Sequence, residues 1–335
     1  MILRDIKVKK IKTERGDDTV AVAAQVQSKS GSIVEVEASA PSGKSTGKHE
    51  ACAFSKQGIN HSLILLKKVA TQIVDEKIEF ETFQDLEKVE EKVKEIDKTT
   101  KLEEFGANCL FALEAAILKA IAVNQGKPLW QVLLEKKLKR LPMPLANVVG
   151  GGAHSTKTPK PDWQEYLLLP WCKSFHDAYF LNNQIYAALR KLIKEVDPSW
   201  HGELTDESAY CPALGTTKVL ELIAKVGKEK SSYYNIPLGL GIDVAASQLF
   251  DGVKYIYKNL DKRVKILSKE EHLKLLKDTA VKFKIAYIED PVAEDDWNGF
   301  AEIFRELRKE LPRILVAGDD LTVTNLERVK RAINA

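Results

Sequence analysis

Four cysteines and two methionines are few for a chain of 335 residues. Cys52, Cys109, Cys172 and Cys211 stand apart with no CxxC spacing. That excludes a thiolate metal knuckle and offers no disulfide framework, so a reduced, cytoplasmic setting is expected. The amino terminus has no apolar signal stretch. No apolar run approaches the ~20 residues of a membrane-spanning helix, so no membrane partner is expected. Charge of one sign is also missing. A formal charge of +3 with 30% charged residues leaves no Lys/Arg block apart from Asp/Glu, which argues against nucleic acid as a partner. Internal repeats and low-complexity segments are absent as well.

What is present is a 44% hydrophobic composition, ample for packed cores, on a length that suggests two domains. Residues 2–12, 19–28 and the run SIVEVEAS alternate apolar and polar side chains around the turn signal RGDD. They predict a three-stranded antiparallel sheet. Apolar residues at helical spacing predict helices over Leu63–Val74, Phe80–Ile96 and Cys109–Val123, the last with Asn108 as N-cap. Residues 1–137 therefore read as an α+β domain.

From Leu141 onward, short apolar runs alternate with helical patterns over Phe175–Val196, Lys269–Lys284 and Asn298–Leu311. Residues 141–335 read as a parallel α/β unit, either a β/α barrel or a doubly wound sheet. Three of the runs, LGLGID, IAYIED and ILVAGDD, end in a carboxylate: Asp243, Glu289 and Asp319. Each is about one βα unit from the next, so parallel strands would present all three at one rim. Such a cage of hard oxygens suits Mg²⁺, since packed anions repel without a cation. Capping of the following helices is the simpler alternative for any one of them.

A second stretch poses its own question. ASAPSGKS, from Ala38 to Ser45, fits a relaxed P-loop pattern after a strand-like run. A nucleotide loop needs a long helix starting at Ser45, and Gly47 with the polar run beyond it makes a poor one.

The ordered set RGDDTV (15–20), APSGKSTGKHEA (40–51), GANCLFALEAAILKA (106–120), NVVGGGAH (147–154), QEYLLLP (164–170), TDESAYCP (205–212), GIDVAAS (241–247), YIEDPVAEDDW (287–297) and GDDLTVTN (318–325) resembles the enolase family. The resemblance implies an α+β amino-terminal domain, then a TIM-type β/α barrel that dehydrates 2-phosphoglycerate with Mg²⁺. It implies Asp243, Glu289 and Asp319 as metal ligands, and His154, Gln164 and Ser45 as substrate contacts. Glu207 would be the acid that protonates the leaving hydroxyl, with Glu165 beside the substrate. On this reading the 41–50 loop is a lid that carries Ser45.

Several departures from the family stand out. Its GDEGG reads TDESA here, with the glycines on both sides of the Asp-Glu pair replaced. The stretch between His154 and Glu165 is longer than usual and holds Lys157, Pro159 and Pro161. In the family, further strands after GDDLTVTN carry the proton-abstracting lysine and the phosphate-holding residues. About five of the eight barrel strands are expected within the present sequence. An open sheet of that kind is expected to be completed by a second chain, by self-association or by residues beyond 335. A catalytically inactive paralogue that binds metal and a small phosphorylated acid, or acts as a regulatory partner, is the alternative reading.

Overall fold

The computed structural model describes residues 1–43, 46–134, 136, 138–139, 141–155, 158–260 and 263–334. The chain divides into two units, Met1–Gly43 with His49–Arg140, and Lys44–Lys48 with Leu141–Ala335.

The first unit is built on an antiparallel sheet of β1 (Asp5–Lys12), β2 (Asp18–Gln27) and β3 (Ile33–Ser39), with β2 in the middle. Alternation alone predicts one buried and one wet face, yet β2 is buried on both. Val20, Val22, Ala24 and Val26 enter the core. On the other face Ala21 and Ala23 lie under ion pairs that join the outer strands, Lys7 to Glu35 at 2.8 Å and Lys9 to Glu37 at 2.6 Å. The register places Lys9 opposite Ala21 and Lys7 opposite Ala23. An alanine methyl is short enough for the lysine stems to cross above it.

Helices α1 (Ile59–Asp75), α2 (Glu87–Ile96), α3 (Ala107–Gln125) and the short α4 (Leu129–Leu133) follow. Two expectations need correction here. The helix predicted from Phe80 begins later, because Thr82 and Asp85 form a capping box around a single 3₁₀ turn, Phe83–Leu86. Asn108 is no cap: Gly106, at φ 91°, starts α3, and the Asn108 amide donates to Pro41 O at 3.3 Å. The membrane criterion also needs restating. At 19 residues, α3 is long and apolar enough to cross a membrane by length and composition. It packs on β2 and β3, burying Leu113, Ile117 and Ile121 in the core of this unit.

The second unit contains β4 (Ala146–Gly150), β5 (Glu165–Pro170), α5 (Phe175–Val196), α6 (Thr216–Tyr234), β6 (Leu238–Asp243), β7 (Tyr255–Tyr257), β8 (Lys265–Leu267), α7 (Lys269–Phe283), β9 (Ile285–Glu289), α8 (Trp297–Glu310), β10 (Leu315–Ala317), α9 (Asp319–Thr322) and α10 (Leu326–Asn334). Its main sheet has the order β10-β9-β6-β5-β4, and β7 pairs separately with β8. Among the described residues this sheet does not close into a barrel.

The expected all-parallel pairing holds only for β6, β9 and β10; β4, β5 and β6 are antiparallel neighbours. The reason lies in α6, which the sequence reading missed. A single helix returns the chain to the end where the previous strand began, so the next strand runs parallel. The packed pair α5 and α6 brings it back to the end where β5 finished, so β6 runs the other way. Ser174, Ser268 and Asp296 cap α5, α7 and α8 by accepting backbone N–H bonds. Ile185, Leu189, Ile223, Leu276, Ile303 and Leu307 of the helices pack on Tyr166, Leu168, Ile242 and Ile288 of the sheet.

Candidate active site

One rim of the five-stranded sheet collects the acids. In register, Glu165 stands opposite Asp243, and Asp243 opposite Glu289. Antiparallel β5 starts at the rim where parallel β6 and β9 end, so residues from opposite strand termini form one row. Asp243 is buried and held at both oxygens: Ala245 N–H donates to Oδ1 at 2.9 Å and the Gln164 amide to Oδ2 at 3.1 Å. The Tyr287 hydroxyl donates to Glu289 Oε2 at 2.5 Å.

Asp243, Glu289 and Asp290 each bring a carboxylate oxygen within 4.8 Å of the other two. Asp290 was not among the sequence candidates; the only signal was a second acid after the strand-ending glutamate. Asp319, which was a candidate, opens α9 as an exposed residue outside that trio, though its charge acts on Glu289 and Asp290.

Burial pushes Asp243 well above the usual carboxylate range, and the charges of Glu289 and Asp290 add to it. Burial likewise raises Glu289, against the Tyr287 hydrogen bond, and raises Asp290 to about 7. Desolvated acids crowded in this way retain protons unless a cation stands among them. The donor set fits Mg²⁺, being all oxygen, convergent and largely buried, and Asp290 carries a buried Oδ1 with no hydrogen-bond partner.

Beside this row lies a second cluster. His154 Nδ1 is 3.7 Å from Glu165 Oε1, 3.5 Å from Glu207 Oε2 and 3.9 Å from Asp206 Oδ1. Two glycines let His154 approach. A Cβ on Gly151 would sit 2.2 Å from Pro161 O, and one on Gly152, at φ 48°, would sit 3.0 Å from Gln164 Cα. Glu207 comes from the long α5–α6 connection, which docks on β4 through Gly150 N–H to Tyr210 O at 2.9 Å and Tyr210 N–H to Val148 O at 3.1 Å. The Asn147 amide donates to Glu207 Oε2 at 3.3 Å. Burial raises Glu165 far above its ordinary range, reinforced by its hydrogen bond with Glu207 and by the charge of Asp243.

The replaced glycines are accommodated. Ser208 keeps the left-handed backbone, φ 64°, that glycine would adopt freely. Thr205 organises the turn from its hydroxyl, which accepts Ala209 N–H at 3.2 Å and Glu207 N–H at 3.4 Å.

Of the expected substrate contacts, His154 lies beside Glu165. The Gln164 amide is engaged at both ends, donating to Asp243 and accepting from Gln248 Nε2 at 2.8 Å. Ser45 lies outside the described residues. Three residues on, Lys48 N–H donates to Glu294 Oε2 at 2.7 Å and Lys48 Nζ to Asp295 Oδ2 at 2.8 Å. No helix occurs in residues 46–58, and the next begins at Ile59. The helix that a P-loop requires directly after its Lys-Ser pair is therefore missing.

The model of the enolase C-terminal TIM barrel domain matches residues 138–335, and that of the enolase N-terminal domain matches residues 3–133. The enolase of Pyrobaculum aerophilum is 34% identical over 99% of this chain and 77% of its own length. Those of Methanothermobacter thermautotrophicus and Archaeoglobus fulgidus are 32% and 31% identical over the same shares of both chains. With both domain matches in sequence order and relatives about a third identical along almost all of it, this chain belongs to the enolase family.

Proposed function

We propose that the chain builds the acid and metal side of a cytoplasmic, glycolytic lyase site that converts 2-phosphoglycerate to phosphoenolpyruvate with Mg²⁺. The observation that carries this reading is the in-register row Glu165, Asp243 and Glu289 beside the cluster His154, Glu165 and Glu207. Elimination of water across C2 and C3 needs an acid at the leaving hydroxyl and positive charge beside the substrate carboxylate. Asp243, Glu289 and Asp319 would hold Mg²⁺, which supplies that charge when bound.

Glu207 would deliver a proton to the C3 hydroxyl so that it departs as water. Glu165, largely desolvated and hydrogen-bonded to Glu207, keeps a proton within that pair at neutral pH. His154, on its glycine turn, would position the substrate over both acids, with Gln164 orienting Asp243 and Ser45 approaching from the 41–50 loop.

The C2 proton needs a base. We infer that this base and the phosphate-holding groups belong to strands that continue the sheet beyond β10, either from residues past 335 or from a second chain. The β10 edge supports this inference, because the apolar Leu315 of that edge strand stands 46% exposed.

The test is phosphoenolpyruvate formation by the assembly purified at its native level. The expected outcome is Mg²⁺-dependent product, reduced about a hundredfold or more by Glu207→Gln. An assembly that is stabilised by Mg²⁺ yet forms no product would instead be a metal-binding, non-catalytic paralogue.

A further inference from the structure

Asp290 combines three features that a residue with no specific task would not share. Its backbone is left-handed, φ 37°, where a non-glycine residue is strained. Its main chain ties three strand ends together: Asp290 N–H donates to Ala317 O at 3.1 Å, and Ala246 N–H donates to Asp290 O at 3.0 Å. Its side chain, 3% exposed, is divided between two environments. Oδ2 accepts Asp319 N–H at 3.2 Å and Asp320 N–H at 3.0 Å, fixing the first turn of α9. Oδ1 is buried with no hydrogen-bond partner.

A buried, unpaired carboxylate oxygen is unfavourable unless something positive meets it. What lies nearby is acidic: one oxygen each of Asp243, Glu289 and Asp290 falls within 4.8 Å of the others. Two oxygens on opposite sides of an octahedral Mg²⁺ are about 4.2 Å apart, given metal–oxygen distances of about 2.1 Å. Adjacent oxygens on such an ion are about 3.0 Å apart, so a bound cation would draw together three oxygens that already lie within 4.8 Å of one another.

We propose that Asp290 is an additional direct ligand of the divalent cation through Oδ1, and that through Oδ2 it sets the position from which Asp319 reaches the same ion. The proposal rests on the metal-binding part of the functional reading and not on the dehydration. The two oxygens diverge by the planar geometry of the carboxylate, and the left-handed backbone is what turns the group so that Oδ2 meets the start of α9. Glycine at 290 would relax the strain and lose both contacts.

Two variants separate the roles. In Asp290→Asn the amide oxygen can still accept both N–H groups of α9, while a neutral NH₂ replaces the oxygen facing the acids. Asp290→Ala removes both functions. Titration calorimetry with Mg²⁺, and Mn²⁺ paramagnetic resonance as an independent readout, should show at least a tenfold loss of affinity in Asp290→Asn. The metal-free melting temperature of that variant should be equal to or above that of the parent, and Asp290→Ala should lose more affinity still.

Asp290→Asn that binds Mn²⁺ within twofold of the parent overturns the proposal. A parent protein that binds neither ion defeats the metal reading itself, a distinguishable result. Should the variants fail to fold, hydrogen exchange on the unaltered protein decides. Mg²⁺ must slow exchange of the Asp319 and Asp320 amides, and unchanged exchange there refutes the coupling of clamp to ion.

Discussion

Ser208 is a serine in a conformation that glycine adopts freely, next to the proposed acid Glu207. Left-handed backbone costs an L-residue about 1–2 kcal/mol, partly offset because glycine gives the unfolded chain more freedom. Ser208→Gly should therefore raise unfolding free energy by up to about 1 kcal/mol, read by urea titration, and leave metal affinity unchanged. Loss of stability in that variant would mean the serine side chain holds the loop. The same scale shows why the missing glycines did not dismantle the site. The Thr205 hydroxyl replaces backbone freedom with two specific hydrogen bonds. Nothing in a one-letter comparison of GDEGG with TDESA displays that compensation, because it depends on where a hydroxyl points.

On α7, His272 is fully buried, stacked on Tyr255 with ring centroids 3.7 Å apart. Its Nε2–H donates to Pro291 O at 2.7 Å, so Nδ1 accepts from the Tyr257 hydroxyl at 3.0 Å. Burial lowers its pKa from 6.5 to about 4. The folded protein thus resists a proton that the unfolded chain accepts below 6.5. Stability is unaffected above that value and declines as pH falls towards 4, by about 3 kcal/mol in total. Urea titrations across this window should show the decline, and His272→Phe, which keeps a ring in the stack, should flatten it. Other elements were partly legible from pattern. Helix α5 spans the predicted residues, while α6 was missed and with it the antiparallel turn of the sheet.

For the whole molecule, four of the five tryptophans, Trp163, Trp171, Trp200 and Trp297, lie in the second unit together with the proposed metal ligands. Fluorescence therefore reports mainly on that unit. Mg²⁺ at a hundred times its dissociation constant should stabilise it by about 2.7 kcal/mol, and chelation should reverse the gain. A fluorescence-monitored midpoint that ignores Mg²⁺ would count against the metal centre.

The sequence by itself determined the two-part organisation, the three-stranded sheet and the acidic strand ends Asp243 and Glu289, because periodicity and strand-end chemistry are local properties. It also carried the family resemblance that the domain matches established. Only the tertiary structure decided which acids meet. Glu165 joins Asp243 because the helical pair between β5 and β6 makes these strands antiparallel, and Asp290 joins the row because a left-handed residue turns its side chain back to the rim. Both depend on chain direction across long separations, which no local pattern encodes.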